Sequence, residues 1–167
     1  MEFNSSNILW IKNVKQVTEG EWAYDEKHHV NCNKPFQLHW SSAKAFGGNA
    51  KRANVGDIIV LFQKPREIDG KRNTNIYLTH LVTPITKDVS NGPFPKHKHC
   101  RQMKLIAMAD PINAICVTKL FKFSKVGRGF TNNIKHLLSK EGLKEDENNN
   151  EIKNRIWDLF LSRDSFC

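Results

Sequence analysis

From His39 to Phe62 the chain runs HWSSAKAFGGNAKRANVGDIIVLF. An aromatic residue leads into a helix cap, then a basic segment, a Gly-Asp turn and a continuous apolar run. Ser41 or Ser42 is a favoured N-cap, so a helix is predicted over Ser42–Ala53, weakened by Gly47-Gly48. Gly56-Asp57 makes a turn, and Ile58 to Gln63 reads as a buried strand. Lys44, Lys51 and Arg52 load the segment with positive charge. A large aromatic beside a basic helix and a core strand can stack a base and hold its phosphates.

Working outward, the chain has 167 residues and 39% hydrophobic content, enough for one domain with a real core. No apolar run approaches the roughly 20 residues needed to span a bilayer. The opening MEFNSSN is polar and no signal-like apolar stretch follows it. The expectation is a cytoplasmic protein with no membrane partner. Cys32, Cys100, Cys116 and Cys167 form no CxxC pair, and reduced thiols are expected. Net charge is +9, and from Lys27 to Lys135 there are 19 Lys/Arg against 5 Asp/Glu. A basic excess concentrated in mid-chain is the footprint of a polyanion partner. The plainer alternative is a solvated basic surface.

Hydrophobic alternation predicts strands at Ile8–Val17, Phe36–Trp40, Ile58–Gln63, Ile76–Ile85, Met103–Met108 and Ala114–Phe123. Glu19–Pro35, Lys64–Asn75 and Asp88–Lys98 read as loops. A helix capped by Thr131 is predicted, with Ile134, Leu137 and Leu138 on one face. Glu141–Asn150 reads as a polar linker before a final amphipathic helix bearing Ile152, Ile156, Leu159 and Phe160. The expected class is α+β: a small mixed β-barrel of five to six strands flanked by two to three helices. It divides into a barrel at 1–140, a linker at 141–150 and a packed helix at 151–167.

Trp10 in the first strand, followed by NAKRANVGDIIVLF at Asn49–Phe62, resembles EVE domains of the PUA-like superfamily. Trp40-Ser41-Ser42, Gly48-Asn49 and Leu61-Phe62 are similar to a pattern of the related YTH domains. The resemblance spans roughly residues 8 to 125. It implies a PUA-like barrel with a pocket for a flipped, often methylated base, as in specificity modules of modification-dependent restriction systems. It also implies nucleic acid, DNA slightly before RNA, as partner, with other domains or subunits of a restriction complex beside it.

Such a pocket needs an aromatic cage and a few edge-reading groups, because bases stack on π-faces at about 1–3 kcal/mol each. Trp40, Trp22 and Tyr24 are the cage candidates, with Trp10 closer to a core role. Asn49 can both donate and accept, and Ser41 and Ser42 are further edge readers. Lys44, Lys51, Arg52, Arg66, Lys71, Arg72, Lys96, Lys98 and Arg101 are candidate phosphate contacts. His28, His29 and Cys32, with His97, His99 and Cys100, are zinc candidates only if their two loops meet. No GxSxG, HExxH or Walker A motif is present, and no cofactor is expected. The competing classes are a small zinc-dependent enzyme built on those His/Cys loops and a protein–protein adaptor with an incidental basic face.

Overall fold

The computed structural model describes residues 2–14, 23–24, 32–41, 49–64, 75–93, 95–96, 98–110, 114–123, 131–136, 138–139 and 145–167. Its long strands are β1 (Ile8–Val14), β2 (Phe36–Trp40), β3 (Ile58–Gln63), β4 (Tyr77–Pro84) and β6 (His99–Met108). Short strands are β5 (Ser90–Asn91), β7 (Ile115–Cys116), β8 (Phe121–Lys122), β9 (Thr131–Asn133) and β10 (Leu138–Ser139). One long helix, α1 (Glu145–Leu161), lies among the described residues.

The main sheet runs β2-β6-β4-β3-β1-β9, with β5 also on β6 and β7 also on β4. Only β1 and β3 pair in parallel; the other pairs are antiparallel. The sheet curls into a half-barrel, a mixed α+β architecture. A separate two-stranded ribbon joins β8 to β10. No helix among the described residues is long and apolar enough to cross a membrane.

Each face of the sheet carries its own core. One face packs Ile8, Ile11, Ile58, Val60, Phe62, Leu78 and Leu81 against Ile152, Ile156 and Phe160 of α1. Those three helix positions recur every four residues, so they form one stripe. The other face gathers Val14, Phe36, Leu38, Trp40, Ile59, Leu61, Val82, Met103 and Leu105. All six residues of β3 are buried because it feeds both cores. That is why its sequence is an apolar run and not an alternation.

Several expectations are corrected. The expected linker is helical from Glu145; the sequence there opens on Glu145-Asp146-Glu147, and negative charge suits a helix N-terminus. The Thr131-capped helix is replaced by β9 and a 3-10 turn at Ile134–His136. Thr131, Asn132 and Asn133 pair with Lys12, Ile11 and Trp10, and Asn133 Oδ1 accepts from the Lys135 amide at 3.0 Å. Thr and Asn are weak helix formers, and an open edge of β1 offers them a ladder. Ala114–Phe123 is two short strands around a turn at 118–120, and the loop at Asp88–Lys98 contains β5. Of the helix predicted over Ser42–Ala53, residues 49–53 are described: Asn49-Ala50 is helical, and Lys51–Ala53 is a turn and bend.

The expectation of four reduced thiols fails at one pair: Cys32 and Cys167 form a disulfide with Cα atoms 5.2 Å apart. Phe36 pairs with Met103 in antiparallel register, so continuing that register backwards would bring Cys32 opposite Ala107. Phe166 bridges to Ala107, and the Cys167 amide donates to Ile106 at 2.9 Å. Both cysteines therefore converge on one end of β6, which their spacing of 135 residues conceals. Closing so long a loop restricts the unfolded chain, so reduction should cost about 2–4 kcal/mol. Urea midpoints with and without reductant measure this, and coincident curves would contradict it.

Candidate nucleic-acid interface

Lys12 on β1 and Trp40 on β2 lie four strand-to-strand steps apart in the sheet. Their side chains nevertheless meet: Lys12 Nζ sits 5.0 Å from the centroid of the Trp40 ring. The contact is possible because the half-barrel curls its outer strands together on the Trp40 side. Lys12 shares that face with Trp10 and Val14, since side chains two apart on a strand point the same way. It is only 3% exposed. Burial drives its amine down from 10.5 to about 7. No carboxylate among the described residues pairs with it, and the ring's π-face is its electrostatic partner.

Trp40 itself is 1% exposed and belongs to the second core. This corrects the picture of an open stacking ring: the ring is buried in the core with Lys12 over it. Trp40→Ala should therefore destabilise the fold by about 3–5 kcal/mol. Trp40→Phe keeps a buried ring and should cost far less; thermal melts of the two variants test the difference.

Trp10 is half-buried, and its indole Nε1 donates to Asp57 Oδ2 at 2.9 Å. The Asn54 amide donates to the same oxygen at 2.8 Å. Asp57 thus ties the turn before β3 to β1. Gly56 takes φ 95°, a left-handed value that favours glycine, and its amide donates to Thr83 Oγ1 at 3.2 Å. The Gly-Asp pair is a structural knot between β1, the 54–57 turn and β4.

The short segment 49–53 turns its apolar side inward and its charges outward. Asn49, Ala50 and Ala53 are buried, while Lys51 and Arg52 are exposed. Ser41 is half-buried. Asn49 is too enclosed to read a base edge at an open surface.

Arg101 is not a phosphate contact. It is 1% exposed, and its guanidinium donates to the carbonyls of Ala50 (3.0 Å), Ala53 (2.6 Å) and Thr86 (2.7 Å from Nε). Burial lowers its pKa, against the upward pull of Asp57 and Asp88. Its role is to clip the basic turn to the loop after β4. Sequence alone does not separate it from Lys96 and Lys98, which are exposed as expected.

Tyr24 is likewise a structural post and not a free loop aromatic. Its hydroxyl accepts from the His39 amide at 3.1 Å, and its ring packs on Phe36 and His39. Burial pushes the phenol up to about 12. The His80 ring Nε2 meets the Tyr24 carbonyl at 2.8 Å, fixing the residue at φ 64°.

Of the six metal candidates, Cys32, His99 and Cys100 lie within the described residues. Cys32 is in the disulfide, Cys100 Sγ lies 3.1 Å from Ser90 Oγ, and His99 sits on β6 beside it. Among the described residues no group of three His, Cys, Asp or Glu could hold a metal. Trp22, His28, His29, Ser42, Lys44, Arg66, Lys71, Arg72 and His97 lie outside the described residues.

The described surface between 32 and 135 carries eleven exposed Lys/Arg, among them Lys51, Arg52, Lys64, Lys87, Lys96 and Lys98. Only Asp88 and Asp110 are exposed acids there. Sequence reading missed Lys12, although its place between Trp10 and Val14 on a strand's inward face was the available signal. Comparison of the chain with protein-family models, curated proteins and solved structures gives no match.

Proposed function

We propose that this chain is a nucleic-acid recognition module that reads a modified base, with DNA favoured over RNA. The observation that carries the reading is the exposed charge: eleven basic against two acidic residues over the described surface from 32 to 135. Such an excess binds phosphate backbones by releasing counterions. Arg101 supports the reading indirectly, because it spends a buried guanidinium to hold Lys51 and Arg52 in place. The mixed half-barrel is compatible with the PUA-like fold that the sequence resembles, and we extend the proposal to that fold. A place as the specificity domain of a restriction system belongs to the same proposal. Trp40, the first aromatic candidate, is buried beneath Lys12, while Trp10 on the same face as Lys12 is half-buried.

The test is fluorescence anisotropy on matched methylated and unmethylated DNA and RNA oligonucleotides at several salt concentrations. Binding should weaken steeply with salt. Lys51→Gln with Arg52→Gln should shrink the magnitude of the log–log slope by about 2, since each phosphate contact contributes roughly 0.9. One modified oligonucleotide should bind at least about tenfold tighter than its unmodified match. Salt-independent binding, or a slope that ignores the double substitution, refutes the backbone assignment. Equal affinity for every oligonucleotide refutes base reading and leaves a charge-driven binder.

A further inference from the structure

Residues 165–167 form a short extra strand laid on β6. The Met108 amide donates to the Ser165 carbonyl and the Cys167 amide to the Ile106 carbonyl, each at 2.9 Å, and Phe166 pairs with Ala107. The other side of β6 is taken at that level by β4, whose Leu81 pairs with Ala107. The segment therefore sits on the side that β2 leaves at Phe36, opposite Met103. The chain reaches this position by reversing after α1 through Asp164 at φ 48°, a left-handed value costly for a residue with a side chain. The Phe166 ring then rests on Trp157, with centroids 4.5 Å apart. Two backbone hydrogen bonds and one ring contact are a weak hold for so short a terminal strand, and such segments fray readily.

The rest of the hold is covalent: Cys167 is bonded to Cys32 in the turn that leads toward β2. Both half-cystines are exposed, and neither belongs to either hydrophobic core. We propose that Cys32–Cys167 is a thiol-operated latch: reduction releases strand 165–167 from β6 while both cores stay folded, and reoxidation fastens it again. The reductant is a dithiol. One of its thiolates attacks an exposed sulfur; a mixed disulfide forms, the protein's S–S bond breaks, and the leaving sulfur takes a proton. The reductant's second thiol then displaces the other protein sulfur and closes its own disulfide. Two electrons pass to the protein, which is left with two thiols. The sulfurs are reachable in the folded state, so exchange needs no prior unfolding. The stability lost on reduction lies in the freed unfolded chain, and no core cavity opens. Release bares the Met108 amide, the Ile106 carbonyl and the ring face of Trp157 that Phe166 covers. The reduced form thus presents a stretch of sheet edge able to accept another strand, and the oxidised form fills it with the chain's own. The latch operates whether or not the chain binds nucleic acid.

Residue-resolved hydrogen exchange on the full chain tests this in the oxidised form, after reduction with dithiothreitol and after reoxidation. In the reduced form the Met108 and Cys167 amides should exchange at least about tenfold faster. The amides of Ala109 and Val117, which donate to the Thr79 and Ile76 carbonyls, should keep their rates. Reoxidation should restore protection at Met108. Cys32→Ser should show the reduced pattern at Met108 without reductant. Unchanged protection of Met108 after reduction overturns the proposal, since the strand then holds without its tether. Equal acceleration at Met108, Ala109 and Val117 overturns it too, because the disulfide is then a staple of the whole fold. Cys116 is an exposed free thiol that could enter the exchange. The same reversible pattern is expected in Cys116→Ser, and its loss there counts against a latch made of Cys32 and Cys167 alone.

Discussion

Lys12→Met should be more stable than the parent chain at pH 7, by on the order of 3–5 kcal/mol, and should lose most of the parent's rise in stability above neutrality. The cause is a single buried amine. In the unfolded chain it titrates near 10.5, and in the folded chain burial brings it to about 7. Between those values the unfolded state binds more protons than the folded one, so stability climbs as pH rises from about 7 toward 10.5. Below about 7 both states are protonated, and the full desolvation penalty is present and constant. Methionine has a similar unbranched length, keeps an apolar contact with the Trp40 face and carries no charge to bury. Urea unfolding of both proteins at pH 6, 7.5, 9 and 10 gives the two curves. They should lie furthest apart at the acid end and converge at the alkaline end. Parallel curves would show that something compensates the ammonium in the folded state.

The frame of this fold was readable where one physical rule dominates. β2 and β3 fall where the alternation at Phe36–Trp40 and the apolar run at Ile58–Gln63 place them, and α1 buries the predicted stripe of Ile152, Ile156 and Phe160. Legibility stopped where the partner lies far away in sequence. Thr131–Asn133 carries a cap signal for a helix, yet the edge of β1 recruits it as a strand. The same limit explains the site. Arg101 and Lys98 are alike as letters, but β6 alternates from Arg101 to Leu105, so Arg101 is buried with Met103 and Leu105 and meets three carbonyls there. Lys12 looks like a surface charge until the sheet's curl brings Trp40 over it. Trp40 was expected as an open ring and is buried, because composition near a helix cap says nothing of what covers a ring.

Arg101→Met should destabilise the protein by on the order of 3–4 kcal/mol and, on the function proposed above, also weaken nucleic-acid binding, although its guanidinium is buried. The guanidinium answers the carbonyls of Ala50, Ala53 and Thr86 at once, from a position that is 1% exposed. Methionine fills the volume but leaves three acceptors without their charged donor. Arg101→Lys should recover little, because one ammonium cannot reproduce a planar fork aimed at two separate segments. The released segment is the one that bears Lys51 and Arg52, so affinity falls through lost positioning. Two readouts distinguish this from a direct contact. Urea unfolding should show the stability loss in both variants. Hydrogen exchange should speed up at the Arg52 and Asp57 amides, which donate to the Asn49 and Asn54 carbonyls within the clipped turn. A direct phosphate contact predicts the reverse pattern: unchanged stability and unchanged exchange, with a salt slope reduced in magnitude by about 1.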